Sequence, residues 1–213
     1  IYIERLDITR ARPAYSFTDD GGSAGTYRDN AAAIHIEVGQ HIHVRGCVLS
    51  DAANGLFTGS TSEEIVIAGN LIYDNGIDGS IYQHNSYTES RGILFEHNHY
   101  GPLRAGCPGN NLKDRSSGTV IRYNWIEAGN RQLDLVETDH SELSTDPRYA
   151  RTYVYGNILV EPDGAGNSQI VHYGGDGGDQ AMYRKGWLHF FHNTVVSTRS
   201  GNTTLLRLST NAE

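Results

Sequence analysis

The apolar positions of the chain recur in one short pattern: an apolar residue, two further residues, an asparagine, one residue and a second apolar residue. "IAGNLI" at residues 67–72 is a clear copy, "VRGCVL" has a cysteine in the asparagine position, and "LDI" at residues 6–8 is a degenerate early copy. The later copies centre on Asn70, Asn98, Asn124, Asn157 and Asn193. From Cys47 onward the copies are 23, 28, 26, 33 and 36 residues apart, a period typical of solenoids.

Between these copies lie shorter runs in which apolar and polar residues alternate, as in a strand with one buried face. They cover residues 32–38, 54–60, 79–87, 110–116, 132–138, 168–174 and 204–210. Clusters of Gly, Asn and Asp separate the runs, and no segment has the period of a helix. Short strands in long turns without crossover helices predict an all-β fold, a right-handed parallel β-helix. It would form a single domain over residues 1–213, with about six or seven turns.

The recurring asparagines have a structural explanation. Equivalent residues of stacked turns lie ~4.8 Å apart and form ladders. An asparagine amide in one turn can therefore hydrogen-bond the same amide in the turns above and below. We predict that the asparagines of the pattern stack inside a tight bend and that the apolar residues beside them face the interior.

The composition and the ends of the chain add further expectations. The 25 glycines and 13 tyrosines favour strands and turns. No apolar run approaches the ~20 residues of a membrane span, and the first residues lack the pattern of a signal peptide. Residues 1–8 and 204–210 already look like internal strands, so we expect both ends of the β-helix to be incomplete. Flanking turns or another chain would cover them. Cys47 and Cys107 are expected to be unpaired thiols.

The charge of the chain is negative overall and unevenly distributed. A formal net charge of -8 argues against a nucleic-acid partner, because phosphate binding needs a basic face. Residues 104–131 nevertheless carry five basic residues against two acidic ones, and residues 132–182 carry nine acidic residues against two arginines. A basic block is therefore followed directly by an acidic one.

Polar side chains of catalytic type occur in successive alternating runs. The runs contribute His84, Asn85 and Tyr87, then Asn111, Lys113 and Arg115, then Asp134 and Glu137, and finally His172 and Tyr173. In a β-helix, runs from successive turns lie side by side. We expect the outward side chains of these runs to share one lateral groove, in a register that a slip of one residue would reverse.

This set suits β-elimination on a uronic-acid polymer. Arg115 can neutralise the substrate carboxylate through its bidentate fork. Lys113 can act as the base if the neighbouring Arg115 or burial lowers its pKa, and Tyr87 or His84 can supply base or acid. Asn85 or Asn111 can orient the carboxylate.

The acidic residues leave alternatives open. Asp134 and Glu137 can be ion-pair partners of the cations, or a carboxylate pair for glycoside hydrolysis. The cations themselves can equally be solvated strand residues of little consequence. His172 and Tyr173 are candidates for contact with the substrate. Asp176 and Asp179 lie in "GGDGGDQ", which is either a weak calcium site or a plain loop.

The repeat "IVIAGNLIYDNG", and "GNNLKDRSSGTVIRYNWIE" with "LDLVE", resemble the right-handed β-helix proteins of the pectate-lyase-like superfamily. "HNSY" followed by "LKDR" resembles a secreted bacterial subgroup of it. The resemblance implies a secreted or cell-surface protein with a polysaccharide partner. Lyases of this fold commonly use Lys or Arg as the base, often with calcium held by carboxylates, and Lys113 and Arg115 match the K-x-R segment. The superfamily also contains hydrolases and non-catalytic adhesins, so we expect a polysaccharide lyase, with glycan binding alone or hydrolysis as alternatives.

Overall fold

The computed structural model of the protein describes residues 1–210 and is built almost entirely of short strands. In chain order these are β1 (Tyr2–Glu4), β2 (Asp7–Ile8), β3 (Ser16–Thr18), β4 (Ala24–Thr26), β5 (Ala32–Gln40), β6 (His43–Arg45), β7 (Val48–Ser50), β8 (Asn54–Ala68), β9 (Leu71–Tyr73), β10 (Ser86–Thr88), β11 (Arg91–Glu96), β12 (His99–Tyr100), β13 (Leu112–Asp114), β14 (Ser117–Arg122), β15 (Trp125–Glu127), β16 (Leu133–Leu135), β17 (Arg151–Tyr155), β18 (Ile158–Glu161), β19 (Gln169–Gly174), β20 (Trp187–Phe191), β21 (Thr194–Ser197) and β22 (Thr204–Ser209).

The strands form three parallel faces around one interior. Face 1 consists of β5, β8, β10, β13, β16, β19 and β22, face 2 of β1, β6, β8, β11, β14, β17 and β20, and face 3 of β2, β7, β9, β12, β15, β18 and β21. The long strand β8 belongs to face 1 at its start and to face 2 at its end. Each turn of the chain adds one strand to each face, and face 3 is a seven-stranded sheet. The prediction of an all-β parallel β-helix is therefore confirmed.

The predicted asparagine ladder runs through the bend between faces 2 and 3. The amide nitrogen of Asn70 donates to Oδ1 of Asn98 at 2.9 Å, and the same bond joins Asn98 to Asn124 at 2.9 Å, Asn124 to Asn157 at 3.0 Å and Asn157 to Asn193 at 2.9 Å. The backbone N–H of Cys47 donates to Oδ1 of Asn70, so the cysteine ends the ladder. Its thiol and that of Cys107 are both free, as expected.

The sharp bend depends on the residue before each ladder asparagine, which is glycine at two of the five positions. The residue before each ladder position has a left-handed backbone, as at Gly69 (φ 64°) and Gly156 (φ 68°). His97 (φ 55°) and Tyr123 (φ 57°) adopt the same conformation with side chains attached, which is uncommon for residues other than glycine. The left-handed residue turns the chain sharply enough for the next side chain to point inward.

Beside the ladder positions from Asn70 to Asn157 the apolar residues fill the interior, as predicted, whereas Val195 beside Asn193 is 36% exposed. The following are completely buried, at 0% exposure: Ile67, Ile72, Phe95, Tyr100, Ile121, Ile126, Val154 and Leu159. Aliphatic and aromatic side chains from neighbouring turns thus lie in contact along the axis of the solenoid, where the burial of apolar surface is the main stabilising term.

Three elements depart from the sequence-based expectations. The predicted strand over residues 79–87 is reduced to Ser86–Thr88, because Gly76 (φ 118°) and Gly79 (φ 74°) turn the chain before it. A short helix, α1 (Ser141–Ser144), and a 3-10 turn (Pro147–Ala150) lie between β16 and β17. Strands β3 and β4 form an antiparallel hairpin outside the three faces.

The outermost strands of the solenoid carry exposed apolar residues. Tyr2 in β1 is 62% exposed and Leu208 in β22 is 63% exposed. The expectation that further turns or another chain cover these strands stays a prediction. Among residues 1–210, no helix has the length and the apolar character that crossing a membrane requires.

Candidate functional site

One outward row of face 1 carries most of the predicted chemistry. The parallel register aligns Phe57 with Tyr87, Tyr87 with Lys113, Lys113 with Asp134, and Asp134 with His172. The residues on either side of this row in β10, β13 and β16 are buried, as strand alternation requires. The register places Tyr87, Lys113 and Asp134 on three successive turns of one surface.

Lys113 forms an ion pair with the next turn. Its Nζ lies 3.1 Å from Oδ2 of Asp134 and 3.9 Å from a carboxylate oxygen of Asp176, and the side chain is 12% exposed. Asp134 is completely buried, whereas the side chain of Asp176 is 46% exposed. The ammonium group therefore lies at the boundary between a buried carboxylate and a solvated one.

Asp134 is the most highly coordinated group of the row. Its oxygens accept hydrogen bonds from Arg131 Nη1 at 3.1 Å and Asn110 Nδ2 at 2.7 Å, and one of them lies 2.9 Å from His172 Nδ1. Burial alone would raise the pKa of Asp134, but the hydrogen bond with His172 and the charges of Lys113 and Arg131 hold it below its usual range. The carboxylate is ionised at neutral pH and anchors the groups around it.

Arg115 follows β13 at the next outward position. Its guanidinium lies 5.7 Å from the centre of the Tyr87 ring, and Nη1 is 2.6 Å from Oδ2 of Asp139. The Nη1 contact brings opposite charges together without the alignment of a hydrogen bond, and Nε is buried with no acceptor within the described residues. Burial lowers the pKa of Arg115, but the Tyr87 and Asp139 groups more than offset this and raise it. Arg115 thus holds a buried Nε donor that no acceptor within residues 1–210 satisfies.

His84 and Tyr87 lie together beside the cations. Their rings meet edge to face, with centroids 5.3 Å apart. Burial, and next the charge of Lys113, lower the pKa of His84 to about 3. Nδ1 of His84 accepts the backbone N–H of Asn110 at 2.9 Å, so the neutral ring carries its proton on Nε2. Burial raises the pKa of Tyr87, which keeps its phenol protonated at neutral pH.

Seven of the predicted site residues are buried. Asp134 (0% exposed), His172 (1%) and His84 (2%) lie in or beside the row itself, and the other four contact groups away from it. Asn85 and Asn111 are completely buried. Nδ2 of Asn85 donates to Oδ1 of Asn111 at 2.9 Å, and Asn75 donates to Asn85 in the same way, which makes a second asparagine ladder. Tyr173 is 2% exposed and Glu137 is 4% exposed. The Glu137 carboxylate accepts the backbone N–H groups of Asp176 and Gly177 in the loop after β19. Asn85, Asn111, Tyr173 and Glu137 are therefore not available for contact with a substrate.

Asp134, His172 and Asp176 are the group within residues 1–210 that could hold a metal ion. One ligand atom of each lies within 4.8 Å of those of the others. Asp179 lies outside this group and accepts the N–H of Ala181 at 3.1 Å. Calcium prefers six to eight oxygen ligands, whereas this set includes an imidazole and has the Lys113 ammonium against both carboxylates. The donor set does not fit calcium, so no step is derived through it.

Several residues of the site were not singled out by sequence reasoning. Asn110 and Arg131 bind Asp134, and Phe57 extends the row beyond Tyr87 with ring centroids 5.2 Å apart. Among these contacts, only the one between Arg131 and Asp134 joins residues close in the sequence, three positions apart. The contacts of Asn110 and Phe57 follow from the register between turns, which loops of unequal length conceal.

The carboxylates beside the row are more exposed than its cations: the side chain of Asp139 is 68% exposed and that of Asp176 46%, whereas those of Lys113 and Arg115 are each 12% exposed. A ligand that approaches the cations therefore meets these two carboxylates first.

Comparison with known proteins identifies neither a family model that matches the chain nor a curated protein of matching sequence.

Proposed function

We propose that the protein is a polysaccharide lyase of the pectate-lyase-like type, which cleaves a uronate-containing glycan by β-elimination. The observation that carries the proposal is the arrangement of Lys113, Arg115 and Tyr87 on one outward surface, where Nε of Arg115 has no acceptor within residues 1–210 and Nη1 meets Asp139 without hydrogen-bond alignment. An anionic group of a ligand is the natural acceptor for them.

Arg115 would bind the carboxylate of the sugar ring at the cleavage site. A bidentate fork neutralises the carboxylate and stabilises the negative charge that develops on it when the adjacent C–H bond breaks. The ion pair with Asp139 does not satisfy the guanidinium group of Arg115. Nε has no acceptor within residues 1–210, and Nη1 is poorly aligned for a hydrogen bond with the Asp139 carboxylate. The substrate carboxylate would take the place of Asp139.

Lys113 and Tyr87 would divide the proton transfers. Once its ammonium group has released a proton to water, the amine of Lys113 would take the proton from the carbon beside the carboxylate, the C–H electron pair would form the double bond, and the glycosidic C–O bond would break. Burial raises the pKa of Tyr87, so its phenol stays protonated at neutral pH, and it would be the acid that protonates the departing oxygen. Asp134 would position Lys113 through the 3.1 Å ion pair.

The decisive test compares the two lysines of the chain, Lys113 and Lys185. With pectin, alginate, glycosaminoglycans and bacterial exopolysaccharides as substrates, wild-type protein should give unsaturated products that absorb in the near ultraviolet. Lys113→Ala should abolish this absorbance with unchanged circular dichroism, and Lys185→Ala should retain it. Arg115→Lys should lower kcat/KM by at least about tenfold, because a point charge cannot replace the fork. Wild-type activity in Lys113→Ala would remove Lys113 from the mechanism.

A glycan-binding protein without turnover is the second candidate. The observation in its favour is that Lys113 is held by two carboxylates, as a purely structural cation would be. In that case the glycan binds without product, and Lys113→Ala changes affinity only. Hydrolysis by Asp134 and Glu137 has less support, because the lowered pKa of Asp134 makes it a poor general acid. Hydrolysis would release reducing ends without the ultraviolet chromophore.

A further inference from the structure

The hairpin of β3 and β4 forms one wall of a cleft beside β5. The cleft has a volume of about 450 Å³, and its lining includes Phe17, Tyr27, Arg28 and His35. The rings of Phe17 and Tyr27 lie with their centroids 5.0 Å apart, and Phe17 is 41% exposed. Mostly apolar clefts of this size with a few polar groups are typical of small-ligand sites.

The position of Phe17 depends on a glycine in the opposite strand. Phe17 pairs with Gly25 across the hairpin, and a Cβ at residue 25 would lie 2.7 Å from Cζ of Phe17. Only a residue without a side chain lets the phenylalanine ring lie against the backbone of β4. The ring is therefore held at the edge of the cleft by close contact with the hairpin.

The cleft is continuous with the row that contains Lys113. His35 contacts Phe57 with centroids 4.9 Å apart, and Phe57 contacts Tyr87 at 5.2 Å. The register places His35 three turns before Lys113, a separation of about 14 Å at ~4.8 Å per turn. Nε2 of Gln83, beside His84, also donates to the backbone carbonyl of Asp29 at 3.0 Å. The loop that lines the cleft and the loop that carries His84 are thus joined directly.

We propose that this cleft is a second sugar subsite, which binds a pyranose ring of the acidic glycan about three turns from Lys113. The inference rests on the proposed function and extends it, because it gives the glycan a direction along face 1. The apolar face of a sugar ring would stack on Phe17 and Tyr27, as amphipathic rings do. Arg28 is exposed and takes part in none of the ion pairs of residues 1–210, so it is available to a second carboxylate of the polymer.

The test measures binding of short and long oligogalacturonates and alginate oligomers by calorimetry. Phe17→Ala should weaken binding of the long oligomers by roughly 3- to 10-fold, the effect of one lost aromatic contact, and leave short ones at wild-type affinity. Trp125→Ala is the matched control, because Trp125 is also 41% exposed but lies on face 3. Arg28→Gln should reduce affinity for long oligomers and weaken its dependence on salt.

Unchanged affinity of Phe17→Ala for long oligomers, or equal losses for short and long ones, would overturn the subsite. Failure of every oligomer to bind would also overturn it. The absorbance assay separates this proposal from the lyase. Binding that depends on Phe17 without unsaturated product contradicts the lyase alone. Product formation that is indifferent to Phe17 and Arg28 contradicts the subsite alone.

Discussion

Burial sets the protonation state of the rings beside Lys113. His84 is 2% exposed, and its Nδ1 accepts the backbone N–H of Asn110. A second proton would have to bind Nδ1, which would break this hydrogen bond and place a charge on a buried ring. Tyr87 is affected by the same burial in the opposite direction, because its charged form is the deprotonated one. Both rings are consequently neutral at physiological pH, and the charges of the site belong to Lys113, Arg115 and the carboxylates around them.

The lowered pKa of His84 predicts acid destabilisation. The unfolded chain takes up this proton near pH ~6.5, while the folded state takes it up at about 3. The folded pKa is depressed, so the stabilising contribution is complete above pH ~6.5 and is lost as the pH falls towards 3. His84→Asn should flatten the fall in urea midpoint between pH 6.5 and 4, because Oδ1 can still accept the N–H of Asn110 and nothing titrates. The exposed His99 provides the control His99→Asn, and equal pH dependence in both variants would contradict the assignment.

The pair of Asp139 and Arg115 predicts a gain in affinity. Asp139 is 68% exposed and occupies Nη1 of Arg115, where the substrate carboxylate would bind. Asp139→Asn should therefore tighten binding of an acidic oligosaccharide by roughly 2- to 5-fold, an effect in the range of an exposed ion pair. Glu142→Gln removes the same charge from a residue that contacts His140 instead. If both variants gain equally, the effect is general electrostatics and Asp139 does not compete with the substrate.

At the scale of elements, the two asparagine ladders differ in how visible they are in the sequence. The ladder between faces 2 and 3 comes from one position of every turn, so its spacing and its apolar neighbours repeat. The second ladder joins Asn75 to Asn85 across 10 residues and Asn85 to Asn111 across 26 residues. Such unequal separations show no period. Asn85 and Asn111 were therefore interpreted as substrate ligands, although the structure buries both.

The regular ladder predicts a large cost for losing one amide. Nδ2 of Asn98 donates to Ile67 O and to Asn124, while Oδ1 accepts from the backbone and side chain of Asn70. Asn98→Ala would leave buried groups on neighbouring turns without partners, at about 1–3 kcal/mol each. We expect a decrease of roughly 3 kcal/mol or more in the free energy of unfolding, measured with urea. Asn202→Ala, at an exposed position, should stay within about 0.5 kcal/mol of wild type, and a similar value for Asn98→Ala would show that the ladder contributes little.

At the scale of the whole molecule, the solenoid fold can be predicted from the sequence more completely than the contacts between side chains on its surface. Each turn repeats the bend, the ladder and the apolar residues, so several imperfect copies are enough to predict the fold. The partners of Lys113 and Arg115 include Asp176 and Asp139, which lie in loops that follow β19 and β16. Those loops have no repeat, and their placement depends on contacts between residues far apart in the chain.

Arg184 holds the loop after β19 against the solenoid. Its side chain is completely buried and pairs with the equally buried Asp114 at 3.1 Å. It also donates to Thr152 Oγ1 at 3.1 Å and to the carbonyl of Ser116 at 2.9 Å. One arginine thus connects the loop to strands that precede it by 32 to 70 residues. No local pattern in the sequence indicates such a contact.

This buried pair should stabilise the molecule far more than a surface pair of the same type. Arg184→Met would leave the Asp114 carboxylate buried without its cation, which typically costs about 3–5 kcal/mol. Arg45→Met is the matched control, because Arg45 pairs with Glu4 at the surface with 55% of its side chain exposed; its cost should be below about 1 kcal/mol. Adding Asp114→Asn to Arg184→Met should recover part of the loss, since the uncompensated charge is then gone. Urea unfolding of the four proteins measures these differences, and equal costs for Arg184→Met and Arg45→Met would mean that the loop does not depend on the buried pair.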